Sequence, residues 1–181
     1  MRSVALAVAM SLASILLMQC GKKVVIPPPA YGYRAYGGPS HFKTIQDSTE
    51  VTACLLDPAA DADPRYPSRS NPLICRERGS VTLSAAQIAE LKAIFADPKT
   101  SPEDRDMACL PDYGVRFTFG NGADAIAINL CFHCGQLATY RNSEELGTGI
   151  FVQPGYGKLV TIVKSLFPED PEIAKLEAHQ G

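Results

Sequence analysis

The chain has 181 residues, of which 46% are hydrophobic, and its formal net charge is −2. This length allows one domain with a substantial core and hardly two. The near-neutral charge and the lack of a basic face or a long run of Lys and Arg argue against electrostatic binding of nucleic acid.

The first twenty residues have the pattern of an export signal. The apolar run over residues 4–18 is too short to span a bilayer comfortably, because a spanning helix needs about 20 residues. The run ends at Leu17-Met18-Gln19-Cys20. This sequence resembles a bacterial lipoprotein signal, with Gln19 in place of the usual small residue. We therefore predict a signal peptide over residues 1–19 and a lipid attached to Cys20.

A tether is predicted between the lipid and the folded domain, over residues 20–41. Three consecutive prolines favour an extended polyproline II segment, and the Gly- and Tyr-rich stretch after them has neither a helical nor a strand period. Such a segment is typically a spacer, although its tyrosines could also stack on a glycan or a partner protein. Export would place the lipid-anchored domain at the periplasm or the cell surface, where disulfides persist.

The folded domain is predicted over residues 42–181 and begins with two strands. In the first, residues 48–56, two sets of side chains alternate, so that each set faces one side of the strand. The two sets are Val51, Ala53 and Leu55, and Thr52, Cys54 and Leu56. A proline-rich loop over residues 57–72 follows, and a short second strand over residues 73–78 carries Cys75.

A helix with a clear start and stop comes next. Ser84 as N-cap and Gln87 three residues later form a capping box, and Asp97-Pro98 stops the helix. Its apolar residues at helical spacing are Ile88, Leu91, Ile94 and Phe95. Residues 100–106 are polar and turn-like, and residues 107–113 lead into the next strand.

Residues 115–140 have the clearest strand pattern of the chain. Two runs alternate with a period of two, which predicts strands with one dry face. Their apolar residues are Val115, Phe117 and Phe119 in the first run, and Ile126, Ile128, Leu130 and Phe132 in the second, residues 124–134. Asn121-Gly122 between the runs favours a tight hairpin turn. Gly135-Gln136 allows a second reversal, into residues 137–140.

The C-terminal part is predicted as a polar loop over residues 141–149, a brief strand over 150–152 and two helices. The first helix, residues 157–167, is amphipathic and ends at Pro168, and Asp170-Pro171 opens a short last helix. These elements predict an α+β domain, with an antiparallel sheet built on the central hairpin and packed against two main amphipathic helices.

The five cysteines after Cys20 are an odd number, so at least one thiol is left over if the others pair. Cys54 and Cys75 lie on neighbouring predicted strands, and we expect them to pair. Their disulfide would stabilise the fold by about 3 kcal/mol on the chain-entropy model. In a regular strand Cys131 and Cys134 face opposite sides, and they cannot pair unless the chain turns at residues 133–135. Cys109 can reach either of them, and we favour a Cys109–Cys131 disulfide.

Functional hypotheses compete with a purely structural role for these cysteines. Cys109, Cys131, His133 and Cys134 supply the atom types of a zinc site, but the second half of such a site is missing. Cys131 and Cys134 also have the spacing of thiol oxidoreductase motifs, although those motifs open a helix and this pair ends a strand. Covalent haem attachment is excluded, because Gly135 stands where the histidine is required.

No complete catalytic set is recognisable in the sequence. His133 lies on the more polar strand face, where a surface or half-buried position is expected, and no Gly-x-Ser-x-Gly supplies a nucleophile for a hydrolase. Carboxylate pairs such as Glu144-Glu145 lie in polar stretches and are read as solvated charges. The sequence therefore favours a protein that is not an enzyme.

Two cysteine motifs resemble a family. Residues 108–115, Ala-Cys-Leu-Pro-Asp-Tyr-Gly-Val, and residues 130–134, Leu-Cys-Phe-His-Cys, resemble a group of small exported bacterial proteins that have no established activity. The likeness extends from about Thr49 to Pro168. It implies a shared fold and a shared site at Cys109, Cys131 and Cys134, with Cys54 and Cys75 as an addition in this chain.

These observations lead to two functional predictions. The first is an envelope lipoprotein, held to the membrane by the lipid on Cys20, with a disulfide-stabilised, non-catalytic domain that contacts an envelope protein or a glycan and needs no cofactor. The alternative is a zinc-binding or thiol-redox protein centred on Cys109, Cys131, His133 and Cys134.

Overall fold

The computed structural model describes residues 30–56, 74–100 and 114–178. Several predicted features lie outside these residues: the signal, Cys20, the first part of the tether, the proline-rich loop, Cys109 and the last three residues. The helices are a 3-10 helix at Ala30–Tyr36, α1 Pro39–Asp47, α2 Ala85–Ala96, α3 Gly155–Leu166 and α4 Pro171–Ala174. The strands are β1 Val51–Leu56, β2 Cys75–Thr82, β3 Val115–Phe119, β4 Ile126–Cys131, β5 Gln136–Arg141 and β6 Glu144–Ile150.

The described strands form one antiparallel sheet in the order β2-β1-β3-β4-β5-β6. The hairpin β3–β4 stands at its centre, and β2 and β6 are its edges. The predicted α+β fold with an antiparallel sheet on a central hairpin is therefore confirmed. Strand order, which the sequence did not reveal, places β3 next to β1, so that the connection through α2 crosses over β1.

The main core lies between one face of the sheet and the helices. The alternating apolar residues of β1, β3 and β4 predicted to share one face all belong to it. Phe95 of α2 is fully buried against Phe119 and Phe151, with ring centroids 5.9 and 6.0 Å apart. Both predicted main helices are confirmed, and the capping box of Ser84 and Gln87 forms as expected.

The predicted tether is wrong in its last residues, because the chain is already folded before His41. Tyr36 is 1% exposed, and its ring lies 5.1 Å from that of Phe42 and 5.6 Å from that of Phe95. Gly37 and Gly38, with φ angles of 78° and 103°, turn the chain from the 3-10 helix into α1. The aromatic residues bury large apolar areas, so this segment stabilises the domain rather than acting as a spacer.

Two turns of the sheet also differ from prediction. Asn121 and Gly122 do not form a two-residue turn, because a 3-10 helix at Gly122–Asp124 widens the loop between β3 and β4. The predicted loop over residues 141–149 is mostly strand β6, joined to β5 by Asn142 and Ser143. Both have positive φ, the conformation of a type I′ hairpin turn, which matches the twist of the flanking strands.

Edge strand β6 is covered by the backbone of the N-terminal 3-10 helix, Ala30–Tyr36. A Cβ atom on Gly147 would lie 2.0 Å from the Arg34 carbonyl oxygen. Any side chain at this position would therefore clash with the backbone, and only glycine fits. Thr139 of the neighbouring strand donates a 2.7 Å hydrogen bond to the Ala35 carbonyl oxygen. Glycine at position 147 therefore allows the N-terminal segment to dock on the sheet.

Gly147→Ala is expected to reduce the free energy of unfolding by about 2–3 kcal/mol, because the Arg34 backbone must move to relieve the clash. Gly114→Ala is the matched control, since a Cβ there meets nothing within 4 Å. Urea denaturation of both variants checks this. Equal stability of the two variants would show that the N-terminal segment does not dock closely on β6.

Candidate functional site

Cys131 and Cys134 are brought together by a tight turn between β4 and β5. The strand ends at Cys131 instead of continuing to residue 134, and residues 132–135 reverse the chain with Gly135 at φ 67°. This is the reversal at residues 133–135 on which pairing was predicted to depend. The two Sγ atoms lie 3.1 Å apart.

This separation lies between that of two sulfurs joined in a disulfide and that of two sulfurs bound to one zinc ion. A disulfide holds its sulfurs about 2.05 Å apart. Two thiolates on one tetrahedral zinc, with zinc–sulfur bonds of 2.3 Å, would be about 3.8 Å apart. Closing from 3.1 Å to a covalent bond requires a movement of about 1 Å. Opening to the zinc-bridged separation would take about 0.7 Å. The geometry thus allows the two sulfurs either to be joined to each other or to bind one metal ion.

Tyr156 of α3 holds the turn against the main core. Its hydroxyl donates a 2.9 Å hydrogen bond to the Phe132 carbonyl oxygen, and its ring meets the Phe132 ring edge-on with centroids 5.9 Å apart. Burial, and secondarily the neighbouring Cys131, raises the pKa of Tyr156, which keeps the hydroxyl protonated as a donor. The Phe151 N–H also donates to the Gly135 carbonyl oxygen, at 2.7 Å.

The two cysteines differ in exposure. Cys131 is 2% exposed, whereas Cys134 is half-buried and borders a cleft of about 720 Å³. His133 is exposed, as expected, and also borders this cleft. Tyr156 and the segment that contains α4 also line it. A partner that enters the cleft therefore meets Cys134 first.

The Cys54–Cys75 disulfide, predicted from the two strands, is present and joins β1 to β2. It lies on the sheet face opposite the main core, because Cys54 alternates with the core-facing residues of β1. Cys54, Leu56 and Cys131 form a small cluster there, with Cys75 and Cys134 packed against it. The described cysteines thus share one side of the sheet.

A row of polar side chains crosses the same face and was not anticipated from the sequence. Asn129 of β4 is fully buried and accepts a 2.9 Å hydrogen bond from the Arg116 guanidinium of β3. The Tyr140 hydroxyl of β5 donates to the Glu145 carboxylate at 3.3 Å. The signal for this row is the register of the strands, which alternation alone does not reveal.

Burial, followed by Glu145, raises the pKa of Tyr140 to about 12, and Arg116 opposes the shift. Burial lowers the pKa of Arg116, and Tyr140 partly offsets this. These shifts are those of a buried structural network, in which each group favours one protonation state.

The zinc hypothesis depends on residues that the structure only partly describes. Within the described ranges, no three His, Cys, Asp or Glu side chains form a group that could hold a metal ion. Cys109, the fourth member of the predicted set, lies outside those ranges, as does its predicted disulfide with Cys131. The zinc site and the Cys109–Cys131 disulfide therefore both stay predictions.

Comparison with protein-family models, with curated proteins and with solved structures found no match to this chain. The family resemblance of the cysteine motifs therefore stays a prediction. In the part of the chain that the structure describes, no helix is both long and apolar enough to cross a membrane.

Tyr140→Phe is expected to change the alkaline stability of the domain. The folded protein retains the phenol proton to about pH 12, whereas the unfolded chain loses it near pH 10.0. Tyr140 therefore stabilises the fold fully below pH 10.0, and this contribution is lost as the pH rises through about 12.

Urea denaturation of wild type and Tyr140→Phe at several pH values measures this loss. The stability of wild type relative to the variant should be constant between about pH 7 and 9 and should decrease above about pH 10. A difference that stays constant through the alkaline range would contradict the raised pKa.

Proposed function

We propose that this protein is exported and lipidated at Cys20, and that its folded domain carries a reversible dithiol–disulfide couple formed by Cys131 and Cys134. The observation that supports the couple is the 3.1 Å separation of the two sulfurs within a turn of four residues. The apolar run that ends at Cys20 supports export and lipidation.

The chemistry of such a couple is thiol–disulfide exchange. A thiolate of the reduced pair attacks a partner disulfide, which forms one bond to the protein and releases the partner's other sulfur as a thiolate. The second thiolate of the pair then closes the Cys131–Cys134 bond and releases the partner's first sulfur. The partner gains the two electrons and two protons that the pair loses. A thiol reductant restores the dithiol.

A redox titration tests the couple. The mature protein is equilibrated in buffers of reduced and oxidised glutathione, quenched with acid, alkylated and examined by peptide mass spectrometry. We expect Cys131 and Cys134 to convert between dithiol and disulfide with one midpoint, while Cys54–Cys75 stays oxidised as an internal reference.

Two variants sharpen this experiment. Cys109→Ser removes the cysteine that could compete for Cys131 or Cys134, and the midpoint of the Cys131–Cys134 couple should stay measurable. Cys134→Ser should abolish this couple. If the Cys109→Ser protein forms no Cys131–Cys134 disulfide in any buffer, the proposed couple is wrong.

Lipidation is tested in a bacterial host supplied with an alkyne-tagged fatty acid. The wild-type protein should carry the tag and sediment with membranes, because its acyl chains insert into the bilayer. Cys20→Ser should lose the tag and leave the membrane fraction, and Cys134→Ser serves as the control that retains both. A tagged Cys20→Ser protein would contradict the assignment.

A second candidate function is a non-catalytic binding domain that contacts an envelope protein or glycan. The cleft beside the turn favours it, because a volume of about 720 Å³ lies in the range of ligand sites. The two candidates differ at Cys134. A binding domain keeps its partner after Cys134→Ser, whereas a thiol–disulfide protein loses the covalent complex.

A further inference from the structure

We infer that the substrate of the couple is a disulfide within an extended, neutral or basic polypeptide segment that lies in the cleft, with Cys134 as the attacking sulfur and Cys131 as the resolving sulfur. This inference rests on the proposed function. It adds the order in which the sulfurs react and the class of partner.

The order follows from the exposure of the two cysteines. Cys134 is half-buried and borders the cleft, so that its sulfur can approach an incoming disulfide. Cys131 is 2% exposed, but its sulfur is 3.1 Å from that of Cys134. Cys131 can therefore attack a mixed disulfide on Cys134, although a bulky partner cannot reach Cys131 directly.

The walls of the cleft suit a polypeptide more than a small thiol compound. Phe132, Tyr156 and Ile173 each contribute a small exposed edge of a buried side chain to the lining. Leu176 contributes a partly buried aliphatic side chain. The cleft volume of about 720 Å³ can accommodate several side chains rather than one. Apolar contacts of this kind hold a chain segment in place, whereas a small disulfide makes few of them.

The charges of the cleft narrow the partner further. The Lys175 ammonium group donates a 2.7 Å hydrogen bond to the Glu172 carboxylate, and Glu177 adds a second carboxylate to the lining. The described lining therefore holds two carboxylates and one lysine, an excess of negative over positive side chains. This charge disfavours anionic disulfides, such as oxidised glutathione, and favours a neutral or basic segment.

The wall formed by the C-terminal segment is fixed rather than loose. Asp170 caps α4 by accepting from the backbone N–H groups of Glu172 and Ile173, and it also pairs with Arg76 at 2.9 Å. The Gln153 side chain donates to the Ala178 carbonyl oxygen at 3.0 Å. The cleft is therefore preformed, and a peptide segment need not order it on binding.

The test follows the reaction of Cys134 with defined disulfides in a Cys131→Ser, Cys109→Ser protein. The probe is a basic decapeptide with one cysteine carried as a mixed disulfide with thionitrobenzoate, whose release is coloured. N-acetylcysteine amide with the same leaving group is the matched small probe, and an acidic decapeptide is the charge control.

We expect the basic peptide to react about tenfold faster than the small probe, with a rate that saturates as its concentration rises, because binding positions its disulfide. Leu176→Gln should slow the peptide reaction several-fold more than it slows the small-probe reaction. Glu177→Gln should reduce the preference for the basic over the acidic peptide.

Other outcomes separate the proposed dithiol–disulfide couple from the inference about its partner and its order of attack. Equal, non-saturating rates for peptide and small probe would overturn this inference and leave the couple intact. If neither probe reacts with Cys134, the proposed function fails as well. A protein with Cys134→Ser and Cys109→Ser should react with neither probe, and a peptide adduct on its Cys131 would refute the order of attack.

Folding of each variant is checked by the Cys54–Cys75 disulfide and by circular dichroism. Should Cys131→Ser fail to fold, the reduced Cys109→Ser protein is used instead. In that protein, the basic peptide must close the Cys131–Cys134 disulfide faster than the small probe and the acidic peptide do. The rate is measured by mass spectrometry after quenching. Equal rates count against the inference.

Discussion

Strand β4 is buried on both faces, and the rest of the domain depends on this constraint. Ile128 and Leu130 pack into the main core, and Asn129 and Cys131 on the opposite face are buried as well. A buried amide must have a hydrogen-bond partner, which Arg116 provides from β3. The second face of the sheet is therefore a layer of sulfur and polar groups. It is not the solvated face that an alternating strand usually presents.

The thiol pair is connected to the main core through Tyr156. This residue belongs to α3, a helix whose apolar side packs in the core, and its hydroxyl reaches the backbone of the turn. The position of Cys134 therefore depends on the packing of a helix that the chain forms some twenty residues later. A turn held in this way keeps the two sulfurs near each other, which raises their effective concentration for forming a bond.

The sequence allowed several elements and one covalent bond to be predicted. Helix α2 has a capping box and helical apolar spacing, and both signals are local, so that tertiary structure does not override them. The Cys54–Cys75 disulfide followed from two adjacent strands, and the reversal at Gly135 was recognised as the condition under which Cys131 and Cys134 could meet.

The remaining elements depend on contacts between distant residues. Strand β6 begins with Glu144-Glu145 and contains two glycines, which have low strand propensity, and it forms because β5 offers its free edge and the 3-10 helix covers it. The 3-10 helix itself has no periodic signal, and Tyr36 is held by Phe42 and Phe95. The cleft likewise exists only where the C-terminal segment meets the β4–β5 turn.

The setting of the thiol pair explains why partner binding should matter to its chemistry. In oxidoreductase motifs that open a helix, the helix macrodipole stabilises the attacking thiolate. Here the residues after Gly135 continue as strand β5, so that neither cysteine lies at the start of a helix formed by the residues that follow. In the function that we propose, holding the partner disulfide against the sulfur would raise its effective concentration and so the rate of exchange. Under the same proposal, the cleft beside the half-buried Cys134 would supply this positioning and would restrict exchange to partners that fit.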